Sequence, residues 1–339
     1  METPDETLWT GVVKGDGMAS FSGVFKASLC QIFLLFFTLM PNPAVAGADN
    51  YHHLVLLGDP HLPGKHIERK HEVIDTINTW DDVSLVVALG DATEALGNAD
   101  EYTAASAFLK RLSKPLCVIA GNHDFYYEDQ LYPSGKKIKA SIETRALKLE
   151  RFRTSFGLNS IYYSKQSGRY RLVFLSTDSG DSLASLSDKQ FSWLEGELKT
   201  FRNTPTVIFF HAPLDGTLAS YNSKVNTRSF TAQPADRIDK LLSSNPQVFL
   251  WISGHTHTPP REPSFASAVN LYKGHVTNIH NTDMNRETIW TNSLFLYQDR
   301  VVVRTYNHRK KSWVKGLERV IVLPDLSQNE KSPPRSAGR

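Results

Sequence analysis

Six short apolar runs punctuate the chain, at 53–57, 85–89, 116–120, 172–176, 207–210 and 248–252. Most contain no polar residue, so each reads as a strand covered on both faces rather than one with a wet side. Between them, 66–80, 99–112, 141–156, 187–201 and 235–242 carry apolar residues at helical spacing. Ser187 followed by Gln190 predicts a capping box at the start of the fourth of these helices. Strands alternating with helices predict a layered α/β class. The last part changes character: 293–306 and 312–323 predict two strands joined by the polar turn 307–311, an antiparallel hairpin at one edge. Two connections, 125–140 and 213–234, are longer than a compact fold requires. They are either substrate-selecting walls or plain surface excursions.

The ends of the chain read differently. Residues 29–40 form an apolar run preceded by Lys26 and followed by Pro41, Pro43 and Ala44-Val45-Ala46. That is the pattern of a secretory leader cleaved after Ala46; the run is short for a bilayer span, and an uncleaved anchor is the alternative. The expected organisation is therefore a leader over 1–46, one domain over 47–324 and a polar, Pro-rich, disordered tail over 325–339. The expected location is periplasmic or secreted, with membrane association only through the N-terminal segment. The two cysteines, Cys30 and Cys117, leave no disulfide framework once the leader is removed, and Cys117 reads as a small buried hydrophobe. The net charge is +3; without the leader's two lysines and four acids it becomes +5. So mild a bias suits anionic substrates and does not predict a specific nucleic-acid partner.

The chemistry lies behind the apolar runs. Asp59 and His61 follow the first run, Asp91 the second, Asn122, His123 and Asp124 the third, His211 the fifth, and His255 with His257 the sixth. In open α/β sheets ligands bind at the carboxyl ends of strands, where these side chains fall. Asp59 and His61 are two apart, as are His255 and His257, a spacing that lets each pair grip one ion or divide between two. A lone buried histidine is more often a hydrogen-bonded core residue, and an Asp after a strand is often a helix cap. Seven of these in order at strand ends, Asp59, His61, Asp91, Asn122, His211, His255 and His257, make that account poor. Asp, Asn and His without Cys favour a divalent ion content with nitrogen and oxygen, such as Mn, Fe or Zn. His52, His53, His66, His71, His275, His280 and His308 read as bystanders. Lys136, Lys137 and Lys139 form a basic run that either meets a phosphate or, as most such runs do, is a solvated loop.

As an ordered set, Asp59-Pro60-His61, Gly90-Asp91, Gly121-Asn122-His123-Asp124, His211 and Gly254-His255-Thr256-His257 resemble the calcineurin-like metallophosphoesterases over about residues 51–257. The resemblance implies an α/β/β/α sandwich of two mixed sheets flanked by helices. It implies two divalent cations, one held by Asp59, His61 and His257, the other by Asn122, His211 and His255, with Asp91 bridging. His123 would then face the phosphate without ligating, and Asp124 would orient it. No tyrosine stands three residues after Asp91, which disfavours the purple acid phosphatase branch. Ser185-Leu186-Ser187 leading into Gln190, Trp193-Leu194 and Leu198 is similar to a segment of the branch holding bacterial cyclic-nucleotide phosphodiesterases. The implied activity is hydrolysis of a small phosphodiester or phosphomonoester by a hydroxide bridging two cations about 4 Å apart. The alternatives are a phospholipid-cleaving or nuclease relative, or a silent binding module.

Overall fold

The computed structural model describes residues 50–327; the expected leader and all but the start of the expected tail lie outside the described residues. The chain runs β1 (His52–Leu57), α1 (Ile67–Asn78), β2 (Val83–Leu89), α2 (Ala99–Leu109), β3 (Leu116–Ile119) and the single turn α3 (Asn122–Phe125). A small ribbon of β4 (Tyr127–Leu131) and β5 (Lys137–Lys139) follows, then α4 (Ile142–Ser155), β6 (Tyr163–Ser167), β7 (Tyr170–Leu175) and α5 (Asp188–Thr200). Next come β8 (Thr206–Phe210), α6 (Ala235–Ser243), β9 (Val248–Ser253), β10 (Leu271–Tyr272) and β11 (Val276–His280). The last strands are β12 (Trp290–Leu296), β13 (Arg300–Asn307), β14 (Ser312–Trp313) and β15 (Arg319–Val322).

These strands build two mixed sheets. One has the order β14-β13-β12-β1-β2-β3, with β15 also paired to β13; the other has the order β10-β11-β9-β8-β7-β6. β1, β2 and β3 are mutually parallel, as are β7, β8, β9 and β11, while β12 and β6 join antiparallel. Alternate residues of each buried strand face opposite ways, which explains why the apolar runs are continuous. Leu54 and Leu56 of β1 join Phe174, Phe209 and Ile252 of the other sheet in the central core. Val55 and Leu57, one residue out of phase, join Val73, Ile77, Tyr102 and Phe152 of the helices outside. On the far side Ile208, Phe210 and Trp251 meet Phe191, Leu194 and Leu241 of α5 and α6. The result is the expected α/β/β/α sandwich. At about 1.5–3 kcal/mol per fully buried large apolar side chain, these three clusters are the main force holding the layers together.

Two local expectations are corrected. Segment 293–306 is not one strand: β12 and β13 form a hairpin, with Tyr297 N–H donating to Arg300 O at 2.9 Å. The polar Gln298-Asp299 pair between two apolar runs makes that turn, so β12 lies inside the sheet beside β1. Only β14 and β15 occupy the edge, pairing with β13. At the start of α5, Ser187 Oγ accepts from Gln190 N–H at 3.2 Å, but the Gln190 side chain does not close a capping box. It is buried and pairs with both backbone groups of Ser176 at 2.9 and 2.8 Å, pinning the helix to the end of β7. Asp178, left without a role by the sequence, accepts from Ser187 N–H and Oγ at 2.6 Å and fixes the same corner.

Candidate metal centre

The carboxyl ends of β1, β2 and β3 in one sheet and of β8 and β9 in the other meet at one rim. The loops leaving them are stitched by their own backbone: His61 N–H donates to Asp91 O, and Gly254 N–H to His211 O, each at 2.8 Å. Lys70, buried on α1, donates to His61 O at 2.7 Å and Pro63 O at 3.1 Å and fastens the Asp59–His61 turn from below. Asp59, His61, Asp91, His255 and His257 all hold left-handed backbone, with φ between 36° and 65°. For residues with a Cβ that conformation costs of order 1–3 kcal/mol each, and it persists only where the surroundings enforce it. Two glycines make room for the carboxylates. A Cβ on Gly254 would lie 1.9 Å from Asp59 Oδ1, and one on Gly121 would lie 2.3 Å from Asp91 Oδ1.

These turns bring together all seven residues expected as ligands. Asp59, His61, Asp91 and His257 offer ligand atoms within 4.8 Å of one another, and Asp91, His211 and His255 do the same. Asn122 joins the second group, its Oδ1 3.2 Å from His211 Nε2. Asp91 belongs to both groups through different oxygens: Oδ1 lies 3.4 Å from His211 Nε2, and Oδ2 lies 3.9 Å from His61 Nε2. Each imidazole has one nitrogen tied behind it. His61 Nδ1 bonds Glu94 O at 3.1 Å, His211 Nδ1 bonds Leu89 O at 2.8 Å and His255 Nε2 bonds Ser229 O at 2.9 Å. His257 Nδ1 faces the Asp283 carboxylate at 3.6 Å. Such backing fixes the tautomer and turns the other nitrogen toward the centre, the arrangement metal-binding histidines use.

Charge in the site calls for cations. Asp59 and Asp91 are fully buried; burial alone would raise their pKa values, yet His257 beside Asp59 and His211, His123 and His61 around Asp91 hold both carboxyls below the usual range. Burial opposes a proton on His211 too, but Asp91 overrides it and lifts the imidazole to about 9. His61 Nε2 and His257 Nε2 approach to 3.2 Å, two imidazole nitrogens aimed at the same space. The donors are nitrogen and oxygen only, with two carboxylates to offset positive charge. They fit divalent cations.

His123 lies between this centre and solvent, its Nε2 4.0 Å from Asp91 Oδ2. Burial drives its pKa to about 3, so the ring is neutral at physiological pH. Asp124 does not hold that ring. Its buried carboxylate accepts from Gly121 N–H at 2.8 Å, from Thr93 N–H at 2.9 Å, from Thr93 Oγ1 at 3.0 Å and from Ala92 N–H at 3.3 Å. With Thr93 and Ala92 beside Asp91, Asp124 binds two ligand loops to each other, and the expected catalytic assignment becomes a positioning one. His275 and His280 stay away from the centre, bonded to Leu242 O and Thr217 O.

Sequence reasoning missed Asp283 and Ser229. Both long connections reach the site: Phe230, from the second, stacks on His255 at 4.8 Å, and Lys137, from the first, is no solvated lysine but sits 3.2 Å from the His123 ring.

Residues 52–259 match the family model described as calcineurin-like phosphoesterase. Among curated proteins, the chain is 25% identical over 175 residues to the glycerophosphodiester phosphodiesterase GpdQ of Enterobacter lignolyticus, covering 51% of this chain and 55% of that one. It is 25% identical over 177 residues to a 3',5'-cyclic-nucleotide phosphodiesterase of a Nostoc species, covering 52% of this chain and 56% of that one. The chain thus spans about half the length of the curated relatives it matches. Among solved structures it resembles a dimetal phosphatase from Danio rerio with a TM-score of 0.54 at 15% identity, over 80% of this chain and 99% of that one. A purple acid phosphatase from yellow lupin seeds gives a TM-score of 0.55 at 14% identity, over 81% of this chain and 54% of that one. At that identity both show a shared fold.

Proposed function

The chain belongs to the calcineurin-like phosphoesterase family, and from that premise we propose that it is a metal-dependent hydrolase of small phosphoric esters. The observation that carries this reading is Asp91, whose two oxygens serve two separate groups of nitrogen and oxygen donors. Asp59, His61 and His257 would hold one divalent cation and Asn122, His211 and His255 the other, with Asp91 between them. Two such cations, Mn, Fe or Zn, supply charge that acidifies water and polarises phosphoryl oxygens when bound. The chain's own residues do the rest. Glu94 O, Leu89 O, Ser229 O and Asp283 hold the imidazoles in place. His123, neutral and at the mouth of the site, can donate a ring N–H hydrogen bond to the negative charge that develops on the phosphoryl and departing oxygens. The oxygen of the attacking water would bond to phosphorus as the bond to the alkoxide breaks, and the proton that the water gives up would end on the departing oxygen.

The activities named for the two phosphodiesterase relatives support a phosphodiester as one substrate class. The apolar run at 29–40 and Ala44-Val45-Ala46 support export to a periplasmic or extracellular site. Among the described residues no helix is long and apolar enough to cross a membrane. The test is metal analysis of the purified protein beside hydrolysis of chromogenic phosphate mono- and diesters. Asp91→Ala is expected to lose metal and activity together, whereas His123→Ala keeps the metal and loses about 10²–10⁴-fold in rate. Bound metal without turnover of any ester would leave the silent binding module standing instead.

A further inference from the structure

The ribbon formed by β4 and β5 belongs to neither main sheet, and its base is closed by Ala140 N–H donating to Tyr126 O at 2.9 Å. It carries Lys137 over the mouth of the site. Lys137 Nζ lies 3.2 Å from His123 Nδ1 and 3.3 Å from His123 Nε2, so the ammonium is within reach of both ring nitrogens. It also lies 4.8 Å from the centre of the Tyr127 ring, and Tyr127 packs edge-on against His123 at 5.8 Å. No carboxylate pairs with Lys137 among the described residues, unlike Lys148 on α4, which has Asp129. A half-buried cation with no carboxylate in ion-pair contact, which feels Asp91 and Glu101 only from farther off, is braced by an aromatic face and set against His123, where it can take an anion. Its neighbours Lys136 and Lys139 are exposed and stay outside.

Resting on the phosphoesterase reading, we propose that Lys137 is a specificity-determining residue that binds a phosphoryl oxygen of the substrate and favours phosphoryl groups with two negative charges over those with one. A diester offers one charge shared by two oxygens, whereas a monoester or inorganic phosphate near neutral pH adds a second. The additional oxygen is the one an ammonium outside the carboxylate-rich centre can take. A hydrogen bond assisted by charge on both partners is the stronger kind, and Lys137 is held in place for it by Tyr127.

Lys137→Met removes the charge and keeps the length of the side chain; Lys137→Arg restores a cation, and Lys136→Met is the control one residue away. Two readouts are taken on metal-loaded protein of verified metal content and melting temperature. One is the ratio of kcat/KM for p-nitrophenyl phosphate to that for bis-p-nitrophenyl phosphate; the other is Kd for inorganic phosphate by calorimetry. Lys137→Met is expected to lower the ratio and to weaken phosphate binding by tenfold or more, with Lys137→Arg recovering most of both and Lys136→Met changing neither. An unchanged ratio and Kd in Lys137→Met overturns the assignment. So does an equal loss on both esters with phosphate binding intact, which would mean that Lys137 serves only to position His123. A wild-type chain inert toward both esters sinks the hydrolase reading alone, because phosphate binding still reports on Lys137.

Discussion

Replacing Gly254 with alanine adds one methyl group at the closest contact in the site. The Cβ would stand 1.9 Å from Asp59 Oδ1 and 3.1 Å from Asp59 Cγ. Restoring ordinary contact at 3.4 Å requires the carboxylate or the Gly254 backbone to shift by about 1.5 Å. Neither is free to do so. Asp59 is fully buried and accepts from His255 N–H at 2.9 and 3.0 Å, while its Oδ2 lies 2.9 Å from His257 Nε2. Gly254 N–H is itself bonded to His211 O at 2.8 Å. Overpacking of this kind costs about 1–3 kcal/mol, which leaves a domain of this size folded. A metal ligand tolerates displacement of only about 0.2 Å. The effect should therefore fall on metal binding far more than on stability. Gly254→Ala is expected to melt a few degrees lower and to lose at least about tenfold in affinity for the ion that Asp59, His61 and His257 would hold, since disturbing even groups behind the ligands costs about 10–100-fold. Equilibrium dialysis against buffered Mn with elemental analysis reads the affinity, and a thermal melt reads the fold. A variant that binds both equivalents as tightly as the wild type would refute the placement of Asp59 against its neighbours and, with it, its role as a ligand.

Gly196, exposed in the middle of α5 with no neighbouring atom within 4 Å of where a Cβ would stand, is the opposite case. Gly196→Ala is expected to stabilise the chain by about 0.5–1 kcal/mol, read as a raised urea midpoint, with metal content unchanged. His280 and His308 give a pH dependence away from the centre: burial pushes both to about 3, well below the usual imidazole value. The unfolded chain protonates them below about pH 6.5 while the folded chain does not, so their stability contribution is complete above that pH and is lost as the pH falls toward 3. The expected slope is up to about 1.4 kcal/mol per pH unit per histidine, measured by urea unfolding between pH 7 and pH 5. A doubly substituted His280→Gln, His308→Gln protein should show a flatter profile, and an unchanged one would contradict the buried neutral assignment.

The parts of this molecule that were legible in the sequence are those that rest on side-chain type at strand ends. Continuous apolar runs marked β1, β2, β3, β7, β8 and β9, and a polar group behind five of them marked the rim. β11 was not legible, because Val276-Thr277-Asn278-Ile279-His280 interleaves polar residues with apolar ones. Asn278 is polar yet fully buried: its side chain serves Leu214 N–H at 2.9 Å and Ser253 Oγ at 2.8 Å, bonds that only the folded chain reveals. Missing that strand meant missing its carboxyl end, and so Asp283 behind His257 went unread. Had β11 been seen as the parallel neighbour of β9, the same rule that found His255 would have pointed to Asp283.

The remaining gaps have a different cause. Three of the four groups that orient the imidazoles are backbone carbonyls, of Leu89, Glu94 and Ser229, and every residue type supplies one. No choice of side chain at those positions could signal the role. Asp124 shows the converse error: a carboxylate next to a candidate catalytic histidine looks like its partner, but four donors from the Gly121 and Thr93 turns converge on it first. The side chain of Lys137 is ambiguous for a third reason, since a lysine in a polar run is ordinarily solvated and only the closing of the β4–β5 ribbon carries it to His123. Ligand identity is thus written in residue type, orientation in the backbone, and selectivity in how the long connections fold back. A relative with the same ligands and a different ribbon after α3 should keep the metals and lose the discrimination that Lys137 provides.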